Sequence, residues 1–88
     1  MSSIDLIPVE TLFRLRGLLG LPQKVLARIL SAGRKWEFTQ ENVSSMERGH
    51  SGFVEFTLQR AASTYFRARG CETDGTGAIL FLPPSAPP

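Results

Sequence analysis

One short segment of the chain, residues 39–49, concentrates side chains that can hydrogen-bond to the edges of nucleic-acid bases. When it is wound as a helix at about 100° per residue, Val43 and Met46 lie on one side. The polar side chains lie together in another sector, and they are Gln40, Glu41, Ser44, Ser45 and Arg48. A helix face that only confers solubility usually repeats Lys and Glu. Amides, hydroxyls and carboxylates are instead the groups that recognise base edges in a DNA major groove.

Length and composition limit the class of protein. The 88 residues suffice for one small domain but not for two cores. The hydrophobic fraction of 42% favours a folded chain over a disordered one. No apolar run approaches the roughly 20 residues that span a bilayer, and the first residues lack the features of a signal peptide. We therefore expect a cytoplasmic protein without a membrane partner.

Residue types that support catalysis or metal binding are scarce. The chain contains one Cys, Cys71, and one His, His50, so it has neither an internal disulfide nor a Cys-based metal site. Gly75 and Gly77 lie where a tight hairpin turn is expected, and the sequence contains no glycine-rich phosphate loop. We expect no enzymatic activity, no cofactor, no metal and no small-molecule ligand.

Positive charge is concentrated around the polar segment. Residues 14–48 carry seven Lys or Arg against three Glu, a net charge of +4. The remaining residues carry three Arg against five acidic residues, a net charge of −2. Such a distribution suits contact with phosphates. Chance clustering of charges on a solvated surface would give the same pattern.

Apolar spacing and helix-capping residues predict a mainly α fold, with four helices followed by a short C-terminal β-hairpin. Proline fits the first turn of a helix, Thr is a good N-cap, and Gly favours the position after a helix. The predicted helices begin at Pro8, Pro22, Thr39 and Gly52, and they end at Gly20, Ser31–Gly33, Gly49 and Gly70. The stripe expected to face the core from the first helix consists of Val9, Leu12, Phe13, Arg16 and Leu19.

The C-terminal part changes character. Residues 70–82 are predicted to form a strand, a turn and a strand, within a single domain that spans residues 1–82, and the Pro-rich residues 83–88 are predicted to be a mobile tail. A lone two-stranded hairpin is marginally stable in water. The second strand should therefore either cover the chain's own core or pair with another chain. The candidate dimer contacts are the fourth helix and the strand residues Ile79, Leu80 and Phe81.

Two segments in the predicted helices resemble the Cro/C1-type (XRE) helix-turn-helix family of phage repressors and small bacterial regulators. Residues 18–27, Leu-Leu-Gly-Leu-Pro-Gln-Lys-Val-Leu-Ala, resemble the family pattern Leu-Gly-Leu-Ser-Gln-x-x-Leu-Ala. Residues 39–49 resemble the lambdoid recognition helix, Thr-Gln-Gln-Ser-Ile-x-x-Leu-Glu-x-Gly. The resemblance covers residues 12–66, and both motifs occur in the family order.

The resemblance implies a role for each matching position. Gln23 would bind a phosphate and brace the base-reading side chain, and Thr39 would be a phosphate-contacting cap. Gln40, Glu41 and Ser45 would occupy base-reading positions, with Arg48 near the DNA backbone. By its chemistry Gln40 suits adenine, and Glu41 suits the amino group of cytosine, although Glu41 also suits a solvated helix N-terminus. The remaining predicted DNA-binding residues are Lys24, Arg34, Lys35, Asn42 and Ser44.

Arg16 and Glu47 are predicted to form an internal ion pair. Arg16 interrupts the apolar stripe of the first helix, and Glu47 follows Val43 by one turn on the buried side of the third helix. Either charge would be costly to bury without a partner. The family resemblance implies the same Arg–Glu pair, so we interpret Glu47 as structural.

The segment between the two motifs departs from the family. It is about six residues longer than the lambdoid pattern, with the excess near residues 33–38. Arg34 and Lys35 could reach phosphates, or they could simply be solvated. Trp36 and Phe38 are expected to hold the loop against the core.

These observations together predict a sequence-specific DNA-binding transcriptional regulator. We expect it to act as a homodimer on an inverted-repeat operator, and repression is the simplest outcome. The main alternative is a protein-interaction module on a helix-turn-helix scaffold, such as an antitoxin or antiactivator, which Glu41 and the modest net charge of +2 favour. A nonspecific nucleoid-type binder should carry a denser Lys/Arg surface.

Overall fold

The computed structural model describes residues 6–82 and confirms the predicted fold class. Four helices precede a two-stranded antiparallel hairpin. The predicted tail at residues 83–88 and the first five residues lie outside the described part. The elements are α1 (Val9–Leu18), α2 (Gln23–Ser31), α3 (Gln40–Glu47), α4 (Phe53–Ala68), β1 (Glu72–Thr73) and β2 (Ile79–Phe81). Within residues 6–82, every helix is too short or too polar to cross a membrane.

The helices begin and end close to the predicted residues. Pro8 and Pro22 immediately precede α1 and α2, where a missing N–H is not needed. A glycine in the left-handed backbone region follows each of the four described helices, with φ values of +68° at Gly20, +80° at Gly33, +90° at Gly49 and +99° at Gly70. The short α3 is therefore delimited at its C-terminal end by backbone chemistry that the sequence specifies.

A single core lies between the four helices, and it includes residues from every one of them. Its fully buried members include Leu15, Leu26, Val43, Leu58 and Phe66. Among residues 6–82, no buried side-chain nitrogen or oxygen lacks a hydrogen-bond partner. Helix α3 contacts α1, α2 and α4, so its orientation depends on the packing of all four helices.

The predicted core face of α1 is wrong at one position. Phe13 is 54% exposed, whereas Leu15 is completely buried together with Leu12. The pair Leu12 and Leu15 forms the buried i, i+3 face, which leaves Phe13 on the side of the helix. There its ring lies 5.4 Å from the guanidinium carbon of Arg16, a distance typical of a cation–π contact.

The hairpin is attached to the start of α1. The Thr11 hydroxyl donates a buried 2.7 Å hydrogen bond to the carbonyl of Gly77, which has φ +91°. The Asp74 carboxylate accepts hydrogen bonds from the Thr76 hydroxyl and from the backbone N–H groups of Thr76 and Ala78. These hydrogen bonds hold the pKa of Asp74 below its usual range, and the bond from the Thr76 hydroxyl contributes most. The turn therefore has one defined shape.

The second strand was expected either to cover the chain's own core or to pair with another chain, and its three residues differ in burial. Ile79 is half-buried and packs against the chain's own core. Leu80 and Phe81 are 57% and 63% exposed, and within residues 6–82 β2 pairs only with β1. The strand thus covers the core with one side chain and presents an apolar surface with the other two.

Replacing Gly77 by alanine should destabilise the domain by about 2 kcal/mol, because a side chain at positive φ is strained. The added Cβ would also lie 2.9 Å from the Thr11 hydroxyl oxygen and 3.1 Å from Pro8 Cγ. Gly75→Ala is the matched control, since a Cβ at that position would meet no atom within 4 Å and the φ of Gly75 is not positive. Urea unfolding followed by circular dichroism measures both, and equal stabilities would contradict the tethered hairpin.

Candidate nucleic-acid interface

An ion pair joins α1 to α3 behind the candidate interface, as the sequence predicts. Arg16 Nε and Nη2 donate to the two carboxylate oxygens of Glu47 at 2.6 and 3.0 Å. Arg16 Nη1 donates to the Leu21 carbonyl at 2.9 Å. The side chains are only 15% and 6% exposed. Such a bidentate, well-satisfied pair fixes distance and angle between the helices.

The ion pair continues into two glutamines that reach the surface. Gln23 Nε2 donates to Glu47 Oε1 at 2.9 Å. Because a carboxylate only accepts, the Gln23 amide must turn its oxygen outward. That oxygen accepts a long hydrogen bond of 3.5 Å from Gln40 Nε2. The series Arg16, Glu47, Gln23, Gln40 therefore connects the buried carboxylate of Glu47 to the exposed start of α3.

The start of α3 is fixed by a reciprocal cap. The Thr39 hydroxyl oxygen accepts from the Asn42 N–H at 3.1 Å, and Asn42 Oδ1 accepts from the Thr39 N–H at 2.9 Å. This capping box satisfies two N–H groups that a helix N-terminus leaves unpaired. The predicted N-cap role of Thr39 is confirmed. We predicted Asn42 to be a DNA-binding residue. In the structure, its side-chain carbonyl oxygen accepts the capping hydrogen bond from the Thr39 N–H.

The other polar residues of α3 differ in how free their side chains are. Ser44 is half-buried. The Ser45 hydroxyl donates to Glu55 Oε2 on α4 at 2.9 Å, so the structure turns this predicted base-reading group toward the protein. Glu41 accepts from Arg48 Nη2 at 3.0 Å, with both side chains more than half exposed. The exposed groups are therefore Gln40 and the Glu41–Arg48 pair.

A cleft of about 270 Å³ lies beside Gln40, between α2 and the start of α3. It brings together three of the predicted residues, namely Lys24, Thr39 and Gln40. It also contains Arg28, which was not among the predicted residues, although Arg28 follows Lys24 by one helical turn on the exposed side of α2. Among residues 6–82, Glu37 is the single acidic residue that lines the cleft. The cleft thus combines two cations with a hydroxyl and an amide, the donors that phosphates accept from.

The long loop before α3 is anchored to α2. The Phe38 N–H donates to Ser31 Oγ at 2.8 Å, and the same hydroxyl donates to the Ala27 carbonyl at 2.6 Å. Phe38 is buried, and Trp36 meets it edge-on at 4.8 Å between ring centres. The predicted attachment of the loop to the core is confirmed for Phe38, whereas Trp36 is 44% exposed and contacts the Phe38 ring rather than packing into the core.

The two basic residues of that loop are separated from the cleft. Arg34 Nε donates to the Leu30 carbonyl at 3.2 Å, and its guanidinium carbon lies 5.1 Å from the centre of the Phe38 ring. Lys35 is exposed. Neither lines the cleft that contains Lys24 and Gln40.

Within the described part of the chain, the side chains suited to metal binding do not cluster. Within residues 6–82, no group of three His, Cys, Asp or Glu side chains could hold a metal ion. Cys71 is buried, and desolvation raises the pKa of its thiol despite the opposing charge of Arg67. A thiol held protonated is a poor nucleophile.

Comparison with known proteins gave no relationship for this chain: no family model matches it, and no curated protein or solved structure matches it significantly. The candidate interface therefore rests on this chain's own residues.

Arg16→Met should destabilise the domain by about 3 kcal/mol, because it leaves the carboxylate of Glu47 buried without its cation. Arg14→Met is the matched control, since Arg14 is exposed on the same helix and should change stability by less than about 0.5 kcal/mol. Thermal and urea unfolding measure both variants. An unchanged melting temperature for Arg16→Met would contradict the role of the ion pair.

Proposed function

We propose that this protein is a sequence-specific DNA-binding transcriptional regulator that inserts the start of α3 into the major groove. The observation that carries the proposal is the hydrogen-bonded series from Arg16 through Glu47 and Gln23 to Gln40. A solvated helix face has no need of such support. A side chain that must meet a base edge does need it, because recognition requires a fixed donor and acceptor pattern.

The orientation of Gln40 favours adenine. Its Nε2 group gives one hydrogen to Gln23, which leaves a second N–H and the carbonyl oxygen. Those two groups match N7 and the N6 amino group of adenine. The remaining N–H of the Gln23 amide, with Lys24 and Arg28 beside the cleft, would contact backbone phosphates. The Glu41–Arg48 pair would lie at the next base or phosphate along α3.

A homodimer follows from the size of the recognition surface. One recognition helix covers only about four or five base pairs, so specific binding generally uses two half-sites about 34–36 Å apart, related by a two-fold axis. The exposed apolar residues Leu80 and Phe81 on the outer strand favour a contact between copies there. Occlusion of a promoter, and hence repression, is the simplest consequence of binding.

A second candidate function is a protein-interaction module on the same scaffold, such as an antitoxin or antiactivator. The observation that favours it is the ion pair between Glu41 and Arg48. It places a carboxylate at the exposed face and pairs the one arginine there, which reduces attraction to phosphates. The two candidates differ in whether α3 meets DNA or protein.

Selection of binding sites from a random DNA pool, followed by titration over a salt series, tests the proposal. The selected sites should form an inverted repeat with adenine in each half-site, and affinity should fall steeply with salt. Gln40→Ala should weaken binding by about tenfold or more, the equivalent of losing a bidentate base contact, and relax the preference for adenine.

Glu10→Gln, at an exposed position on α1, is the control and should leave affinity within about twofold. Both variants should keep the helical circular-dichroism spectrum. Selection without any enriched sequence would overturn the regulator and support the interaction module.

A further inference from the structure

A second concave surface lies outside the candidate interface. It is a groove of about 520 Å³ between the C-terminal part of α2 and the middle of α4. Its apolar lining comes from Ile29, Leu30 and Ala61, and its basic lining from Arg34 and Arg60. Among residues 6–82, no acidic residue lines it, and none of its lining residues also lines the cleft beside Gln40.

Within the described part of the chain, the two arginines of the groove contact neighbouring groups but have no counter-charge. Arg34 is held by the Leu30 carbonyl and the Phe38 ring. The guanidinium carbon of Arg60 lies 6.0 Å from the centre of the Phe56 ring. Within residues 6–82 neither guanidinium has a carboxylate partner. A pair of cations beside an apolar surface attracts a ligand that carries negative charge as well as apolar groups.

Apolar surface continues from the groove along α4. Phe53 is 80% exposed and Phe56 is 49% exposed. Thr57, which lines the groove, follows Phe53 by one turn and donates to its carbonyl at 2.8 Å. Exposed aromatic side chains next to arginine are the residue types that dominate protein–protein binding energies.

We propose that this groove binds an acidic, amphipathic helix of a partner protein. The unpaired Arg34 and Arg60 would meet its carboxylates, while Ile29, Leu30 and Ala61 would meet its apolar face. Helices commonly bind proteins in this way, through side chains spaced by three or four residues. The proposal does not depend on DNA binding by α3.

Other occupants fit the groove less well. A DNA backbone would satisfy the arginines but would gain nothing from Phe53 and Phe56. A small molecule needs about 70–90% of its surface enclosed, and this groove is open along one side. The chain's last six residues, 83–88, contain no acidic residue, so they do not complement the two cations.

Selection of a phage-displayed peptide library against the folded full-length protein tests the proposal. The enriched peptides should combine Asp and Glu with Leu or Phe at helical spacing. A synthetic copy of the most enriched peptide should change the emission of Trp36, the single tryptophan, which packs against the same Phe38 ring as Arg34. Titration of this emission then gives the affinity.

Two variants locate the binding site. Arg60→Glu should weaken the peptide by about tenfold or more, because it replaces attraction with repulsion, and Phe53→Ser should weaken it without changing charge. Arg14→Glu is the matched charge reversal on exposed α1 and should leave the affinity within about twofold. A peptide whose Glu residues are replaced by Lys should bind the Arg60→Glu protein more tightly than it binds the original protein.

Several results would overturn the proposal. These are selection without enrichment of acidic peptides, or equal binding to the Arg60→Glu and Arg14→Glu proteins. Sedimentation showing that Arg60→Glu disperses a self-associated protein would assign the groove to a second copy instead. Loss of DNA affinity in Arg60→Glu without loss of peptide affinity would assign Arg60 to the DNA interface.

Discussion

The position of α3 depends on the ion pair between Arg16 and Glu47. Burying two charges costs several kcal/mol for each ion, and here each of the three guanidinium nitrogens of Arg16 donates to an acceptor. An apolar pair of similar volume could pack as stably, but it could not accept a hydrogen bond from Gln23. The Arg16–Glu47 ion pair is therefore explained by the groups that it orients, namely helix α3 and the Gln23 amide. It fixes α1 against α3 and turns the amide of Gln23 toward Gln40.

The helix boundaries were predictable because local chemistry determines them. Proline before α1 and α2, threonine before α3, and a glycine after each of the four helices act within one turn of the chain. The Arg16–Glu47 pair was also predictable, since an isolated charge on each buried face required a partner. The hydrogen bond from Gln23 to Glu47 was not, because it depends on the angle at which α2 crosses α3.

The residues whose surroundings differ from those in a helical projection share a physical cause. Spacing alone predicts Phe13 on the core face of α1, whereas the other helices pack against the face that carries Leu12 and Leu15 and leave Phe13 54% exposed. Ser45 belongs to the polar sector of an isolated helix, yet α4 supplies Glu55 as its partner. Arg28 joins the cleft only because the start of α3 lies beside α2. Each outcome depends on tertiary contacts, which a helical projection does not contain.

If Gln23 orients Gln40 on DNA, the effects of substituting the two residues are not independent, and a double-mutant cycle on DNA affinity measures this dependence. The cycle compares the original protein with Gln23→Ala, Gln40→Ala and the double variant on one selected DNA site. We predict that the double variant loses clearly less affinity than the two single losses combined, because removing either glutamine disables the same contact. Additive losses, or no specific DNA binding by the original protein, would show that Gln40 is not a base-reading side chain oriented by Gln23.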